Sequence, residues 1–572
     1  MSMSKEKAQT HLNDPAVFCC MRTKGLVISE ADLEDPTVFP DMEEAGLMML
    51  SPQGLTIGEV LGATLLSDAE ALTPITAEMI LKDRFSEHIP TEASACEVRQ
   101  DGEDPSLHNG ACLHLSIDKL EGLKLDLPIA SLASCLQMIP SPSKAASGSK
   151  IIRTLVHKHY TVSKVILGDT TFFEQGVLSI GSHLLEKAKA SSPLVKEVSL
   201  DIITPDQHHT FTNTIMDIIP IAAKVSKKIG EGETAVMDGA VFCLTGLDEA
   251  GVQIHEFGSC EGYLDEKISF QRPGCPDLND IMIRVNVVIQ KNTGMERRGP
   301  LAAHTACDVI IQEIRDILKV SKEIPVSANT YYDRYQYGRP RVVLVKEIMG
   351  QGAMHDNILV PAEPAGVLGG QKNVDLGNVP VMLSPNEVRD GAVHALTCIG
   401  PSTKEMTRHY FREPLVHALA VDEELNLAGV IFIGSPQVND EKSYVSQRLG
   451  AWIESMDLAG AIVTTEGFGN NHIDFAAHIA EIGSRDIPVV GVTYSAYQGQ
   501  LVVGNQYMDA MIELNKDPEG YENEILGCNT LCEEDAKRAI LMLKTKMSGI
   551  PIESPDRKWS QDVINSNQKL VK

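Results

Sequence analysis

The chain has 572 residues, 43% of them hydrophobic, with 78 Asp and Glu against 50 Lys and Arg and a formal net charge of −28. That length exceeds one ordinary core and predicts roughly two to four domains. The acidic balance excludes the basic face that a nucleic-acid partner needs, and no run reaches the roughly 18 apolar residues of a membrane-spanning helix.

The N-terminal stretch MSMSKEKAQTHLNDP lacks the apolar segment of a secretion signal, which predicts a cytoplasmic protein. In that compartment the 12 cysteines read as free thiols and not as a disulfide framework. Cys19-Cys20 are adjacent and cannot alone serve one tetrahedral ion. Cys528 and Cys532, spaced CxxxC, suit metal or redox work only loosely, and no metal centre is expected.

Residues 1–80, with turn signals at Asn13-Asp14-Pro15 and Ser51-Pro52-Gln53-Gly54, predict a small module with short helices. Residues 81–150 lose periodicity and read as a variable linker that ends in IPSPSKAASGSK. Residues 151–335 read as a β-rich α+β domain. YTVSKVILGDTTFFEQGVLSI alternates apolar and polar residues on both sides of Gly168-Asp169, a hairpin signal. GAVFCLTGLDEAGVQIHEFG and DIMIRVNVVIQ continue the strand pattern. GPLAAHTACDVIIQEIRDILKVS (299–321) then carries apolar residues at helical spacing, with Pro300 suited to a first turn.

The pattern changes at residues 336–550, ahead of a tail at 551–572. RPRVVLVKEI, LAGVIFIGSP, LAGAIVTTEGFGNN and DIPVVGVTYSA are short apolar runs, each followed by glycine and polar residues. Helical patterns at 441–456 and 472–483 lie between them. Strand, polar loop, helix, strand implies a parallel sheet with crossover helices. The fold class is therefore α/β: β-rich N-terminal and middle regions, followed by a parallel-sheet α/β domain. Ligands bind beyond the carboxyl ends of such strands. That edge would carry Gly434-Ser435-Pro436, the cluster Glu466, Asn470, Asn471 and His472, and 495–498. Asn470-Asn471 also suit a helix N-cap, with His472 exposed in the first turn. His355 and Asp356, in GQGAMHDN, suit a general-base pair or a turn; no Gly-Lys-Ser/Thr follows, so this is not a phosphate loop. Glu296, Arg297, Arg298 and His304 stand at a predicted helix start, where they suit a carboxylate, a subunit contact or solvent.

In HALTCIGPST (394–403), Cys398 stands directly before a turn signal instead of inside an apolar run. GQGAMHDN, VHALTCIGPSTKEMTRHYFREPLV, GSPQVNDEKSYVSQRLG, VTTEGFGNNHIDFAAHI and VVGNQYMDAM resemble the proprotein subunits of D-proline reductase, as do NDPAV, LEDPTVF and GLTIGEVLGA. KVILGDTTFFEQGVL is similar to the large subunit of glycine, sarcosine and betaine reductases. The resemblance covers nearly the whole chain and is strongest from about 340 to 530. The linker and the short C-terminal end depart from that pattern, which leaves room for a different amino-acid substrate.

The resemblance implies self-cleavage between Thr397 and Cys398, with Cys398 becoming a pyruvoyl group. The thiol would attack the Thr397 carbonyl, and loss of sulfur would leave a dehydroalanine that hydrolyses to a ketone and ammonia. His394, Ser402, Lys404 and His409 are candidates to take the proton. The resemblance further implies reductive cleavage of the Cα–N bond of D-proline to 5-aminopentanoate. A small selenocysteine-containing subunit would supply the nucleophile, since a selenol is ionised at neutral pH where a thiol of pKa about 8.5 mostly is not. A thiol or redox protein would restore it. An uncleaved scaffold, or an enzyme that uses the Cys398 thiolate directly with His394 or His409 as base, are the alternatives.

Overall fold

The computed structural model describes residues 5–19, 22–39, 54–69, 72–81, 112–115, 125–128, 148–254, 260–294, 298–348, 358–366, 374–375, 377–396, 406–436, 438–465, 469, 471–495, 503–521, 523–552 and 561–569. The chain forms two compact units, 1–82 with 149–572, and 83–148. In the smaller unit Cys112–Leu115 pairs antiparallel with Leu125–Pro128. In the larger unit, the N-terminal residues Phe18, Ile28, Leu33, Ile57, Val60 and Ile75 share a core of their own. Short elements surround it, among them the helix Lys5–Thr10 and the one-turn helix Ile57–Val60.

The middle of the chain is rich in strands: β1 (Ser149–Thr161), β2 (Lys164–Gly168), β3 (Phe172–Glu174), β4 (Val177–Gly181), β5 (Val195–Ile203), β6 (Ile215–Ile219), β7 (Ala222–Lys224), β8 (Gly232–Asp238), β9 (Ala240–Asp248) and β10 (Ile281–Ile289). Helix α1 (Arg298–Val320) and strand β11 (Ser327–Gln336) follow. Two four-stranded sheets result, with orders β6-β9-β10-β5 and β7-β8-β1-β11. Along α1, Ala302, Ala303, Ala306, Ile310 and Ile314 recur at helical spacing and join the core of Phe242, Ile283 and Val285.

One sequence reading needs correction here. Gly168-Asp169 closes no hairpin: β2 runs parallel to β4, and β3 is the strand that turns back onto β4. The hairpin turn is Gln175-Gly176, where φ is 50° and 75°. A two-residue hairpin turn requires positive φ at both positions. Gln175 lacks the Asn or Asp that usually signals such a turn, so the pattern pointed to the earlier glycine. Further on, Gly527, with φ +75°, lets the chain pass close to the Cys275 thiol.

The last part of the chain supplies β12 (Arg341–Ile348), β13 (Ile358–Val360), β14 (Val374–Asp375), β15 (Val381–Leu383), β16 (His394–Ala395), α2 (Thr407–Phe411), α3 (Pro414–Val421), β17 (Asn426–Gly434), α4 (Asn439–Ser455), β18 (Gly460–Thr465), α5 (Asn471–Gly483), β19 (Val489–Thr493), β20 (Met511–Glu513) and α6 (Glu533–Met547). A six-stranded sheet has the order β15-β17-β12-β18-β19-β20. Its neighbours pair in parallel except β15 with β17. Alternate residues of each strand face opposite sides. Val342, Leu344, Phe432, Ile462 and Val490 pack with α3 and α6. Val343, Val345, Ile431, Ile433 and Val463 pack with α4 and α5. A sheet covered on both faces explains why these strands read as unbroken apolar runs. No helix among the described residues is long and apolar enough to cross a membrane.

Candidate functional site

The carboxyl edge of the six-stranded sheet is lined with buried polar groups. On β12 the apolar run ends in Lys346 and Glu347, which point to opposite faces. Lys346 reaches Glu413 at 2.9 Å, both side chains fully buried. Burial by itself pushes the Glu413 carboxyl up, but the Lys346 ammonium, His409 and a hydrogen bond from the Val416 N–H together hold it below its ordinary value.

On the other face, Glu347 meets Thr465 at the end of β18, whose hydroxyl donates across 3.4 Å, and His478 of α5 at 3.8 Å. Burial first, and then the Asp474 carboxylate, push Glu347 well above the ordinary carboxyl range. It therefore keeps its proton where other glutamates have lost theirs. Asp474 in turn accepts hydrogen bonds from Lys442 and from Ser435 Oγ, the latter at 2.5 Å. Burial shifts Asp474 upward against the pull of Lys442 and Ser435. His478 is pushed down to about 3 by burial and then by Lys442, and its Nδ1 lies 3.1 Å from Ser446 Oγ.

A second buried group forms the base of the loop that carries Thr397 and Cys398. Ala395 N–H donates to Thr407 Oγ1 at 3.0 Å. The Thr407 hydroxyl donates to Asp217 Oδ2 at 2.5 Å, and its backbone N–H to Oδ1 at 2.8 Å. One carboxylate on β6 thus ties both ends of the loop. His304 and His394 face it at 3.4 and 3.7 Å. Burial, with His304 and Arg315 adding to it, pulls His394 well below its ordinary value. The pairing Ile358↔Ala395 also sets the start of β13 beside the end of β16. Ile358 and Ala395 therefore lie side by side at one end of the small β14-β13-β16 sheet.

The residues singled out by sequence divide accordingly. Thr397, Cys398, His355, Asp356, Glu466, Asn470, Glu296 and Arg297 lie outside the described residues. His394 and His409 are both fully buried, on β16 before the loop and on α2 after it. Asn471 and His472 open α5, where the His472 N–H donates to Gly469 O at 3.0 Å. His472 is not exposed in that first turn, as expected of a solvated cap; it is fully buried, and its Nε2 lies 2.9 Å from Thr493 Oγ1 at the end of β19. The sequence reading missed Glu347, Lys442, Asp474, His478 and Asp217. For Glu347 a signal was present: a Lys-Glu pair inside an apolar run with glycines after it places one charge on each face of a covered sheet.

Comparisons with known proteins follow this geometry. A family model for the glycine/sarcosine/betaine reductase component B subunits matches residues 302–513, which places the chain in a class of amino-acid reductase components. The D-proline reductase proprotein PrdA of Acetoanaerobium sticklandii is 46% identical over 599 aligned positions, covering 100% of this chain and 95% of that protein. The chain belongs to this family of reductase proproteins and is an oxidoreductase proprotein. The glycine reductase complex component B subunits alpha and beta of the same organism are 23% identical over 61% of this chain and 80% of theirs. The sarcosine reductase complex component B subunit alpha of Peptoclostridium acidaminophilum is 22% identical over 58% of this chain and 77% of its own. No solved structure matches.

Proposed function

We propose that this chain is the pyruvoyl-bearing subunit of a reductase that cleaves the Cα–N bond of D-proline, and that it matures by cleavage between Thr397 and Cys398. The observation that carries this reading is the 46% identity to the D-proline reductase proprotein over the whole chain. The residues beside the loop fit such a group. Its ends are fixed on Asp217 through Thr407, and His394 stands buried beside them with no hydrogen-bond partner on either ring nitrogen. Leu396 leads to Cys398 in two residues, about 7 Å of chain at full extension.

The pyruvoyl group supplies a ketone carbonyl that takes up the substrate nitrogen and draws electrons from the Cα–N bond. The chain's own residues do the rest. Glu347, whose carboxyl burial raises above the ordinary range, serves as the proton donor for the departing nitrogen. Lys442 with Asp474 fixes the charge balance of that edge. To His355, Asp356, Glu466, Asn470, Asn471 and His472 falls the orientation of the substrate carboxylate and amine. Ring opening to 5-aminopentanoate consumes two electrons and two protons, drawn from a thiol donor through a selenocysteine-containing partner subunit. The relatives named as components of reductase complexes support a hetero-oligomer.

The thiols of this chain support a partner. Cys528 and Cys532 are buried, and burial pushes both above the ordinary thiol range, so they are poor nucleophiles. The test is reconstitution. The purified chain with dithiothreitol is expected to leave D-proline unchanged and to reduce it once the selenocysteine subunit is added, with borohydride pretreatment abolishing turnover. Full activity from this chain alone, lost in Cys528→Ala or Cys532→Ala, would contradict the two-subunit reading.

A further inference from the structure

The loop base has an unusual balance of hydrogen-bonding groups. Asp217 on β6, His304 in α1 and His394 on β16 are all fully buried, and each offers a ligand atom within 4.8 Å of the other two. His304 Nδ1 lies 2.9 Å from Pro300 O. A carbonyl only accepts, so the proton sits on Nδ1 and the Nε2 of the neutral ring presents a lone pair. That lone pair faces Asp217 Oδ2 at 3.4 Å without a hydrogen bond. His394 Nε2 faces the same oxygen at 3.7 Å, and neither of its ring nitrogens has a partner. The nearest hydroxyl proton, that of Thr407, is already donated to Oδ2. Two unpartnered imidazole nitrogens and a carboxylate oxygen therefore converge on one point in a fully buried interior.

A cation resolves that arrangement, and the spacing says which kind. Two ligands of one tetrahedral ion at bond lengths near 2.0–2.1 Å stand about 3.4 Å apart. The contacts to Asp217 are 3.4 and 3.7 Å, close to that spacing, and all three ligand atoms lie within 4.8 Å of one another. Two imidazoles and one carboxylate suit zinc, with the fourth position open; calcium and magnesium sites are built from oxygen donors. The surrounding contacts are those of metal ligands. Pro300 O fixes the tautomer of His304, and the Thr407 N–H holds the second oxygen of Asp217.

We propose that Asp217, His304 and His394 bind one divalent first-row transition-metal ion, zinc by preference, which clamps β6, α1 and β16 together at the base of the loop that carries Thr397 and Cys398. The site is defined by its ligands and does not depend on the cleavage reading.

The test is metal analysis of the full chain, both wild type and Cys398→Ala, loaded with Zn²⁺ and passed over a chelating resin. Both are expected to retain about one ion per chain. X-ray absorption at the zinc edge of the wild-type chain, which needs no substitution in the site, is expected to show two imidazoles and oxygen without sulfur. Asp217→Asn keeps the size of the side chain and is expected to lower the metal content by about tenfold or more, as is His394→Gln. Metal content below roughly a tenth of an ion per chain after loading with zinc, cobalt, manganese or iron would overturn the proposal and leave a protonated imidazole paired with Asp217. A load unchanged in both variants, or a sulfur-rich coordination sphere, would overturn it equally. Failure of cleavage with full metal content would count against the proposed maturation alone.

Discussion

The carboxyl edge and the loop base are both buried, yet they partner their carboxylates differently. At the edge Lys442 and Ser435 both serve one oxygen of Asp474, and burial raises the Glu347 carboxyl. At the loop base two imidazoles face one carboxylate, and neither ring nitrogen of His394 has a hydrogen-bond partner. Burial alone therefore does not decide what a polar cluster does. A cluster with its own ammonium supplies its own positive charge; one built of imidazoles and a carboxylate can hold a cation. Lys346 and Glu347 make the same point within one strand. Adjacent residues face opposite sides, one in an ion pair that lowers its partner's pKa and the other a carboxyl that burial raises.

Breaking the balance at the edge should have the largest effect. Lys442→Met leaves a buried carboxylate without its cation and is expected to cost about 3–5 kcal/mol of stability in denaturant titrations. The double variant Lys442→Met/Asp474→Leu should recover most of that loss; a neutral single variant would show that the edge is not charge-balanced.

At the loop base, Thr407→Val keeps the shape but strands the Ala395 N–H and one oxygen of Asp217. The expected loss is about 1–3 kcal/mol, together with slower appearance of cleaved chain on a gel. Cleavage at the wild-type rate would mean that Asp217 does not set the loop.

The pH dependence sharpens the contrast within the edge itself. Glu347 is raised in the folded chain, so its contribution is full below the unfolded value, about 4.3, and is lost as pH rises through the folded value. His478 is lowered to about 3, so its contribution is full above the unfolded value, about 6.5, and is lost as pH falls toward 3. Glu347→Gln should flatten the alkaline side of a stability–pH curve, and His478→Gln the acid side; unchanged curves would place both groups in contact with water. The smallest effect is expected from Cys528→Ala, which should leave reconstituted turnover within about twofold of wild type, because buried thiols are inert.

The parallel strands were legible because a sheet covered on both faces leaves continuous apolar runs, as in VVLV and GVIFI, and α1, α4 and α5 because their apolar residues recur at helical spacing. What sequence could not give was juxtaposition. Asp217, His304 and His394 come from a strand, a helix and a loop base with no common spacing, so nothing in the sequence joins them. The three residues meet because Thr407 ties its loop to β6. His472 was misjudged because its cap position suggests water, whereas α5 presses its first turn against the end of β19. The hairpin at Gln175-Gly176 was missed because Gln175 adopts positive φ without being Asn, Asp or Gly.

The central claim is the maturation of Cys398, and intact mass with N-terminal analysis of the purified, active protein tests it most directly. The account predicts two chains, residues 1–397 and 398–572, the smaller lacking a terminal amine, resistant to Edman degradation and reactive toward hydroxylamine. A single uncut chain of 572 residues from a preparation that reduces D-proline would contradict it.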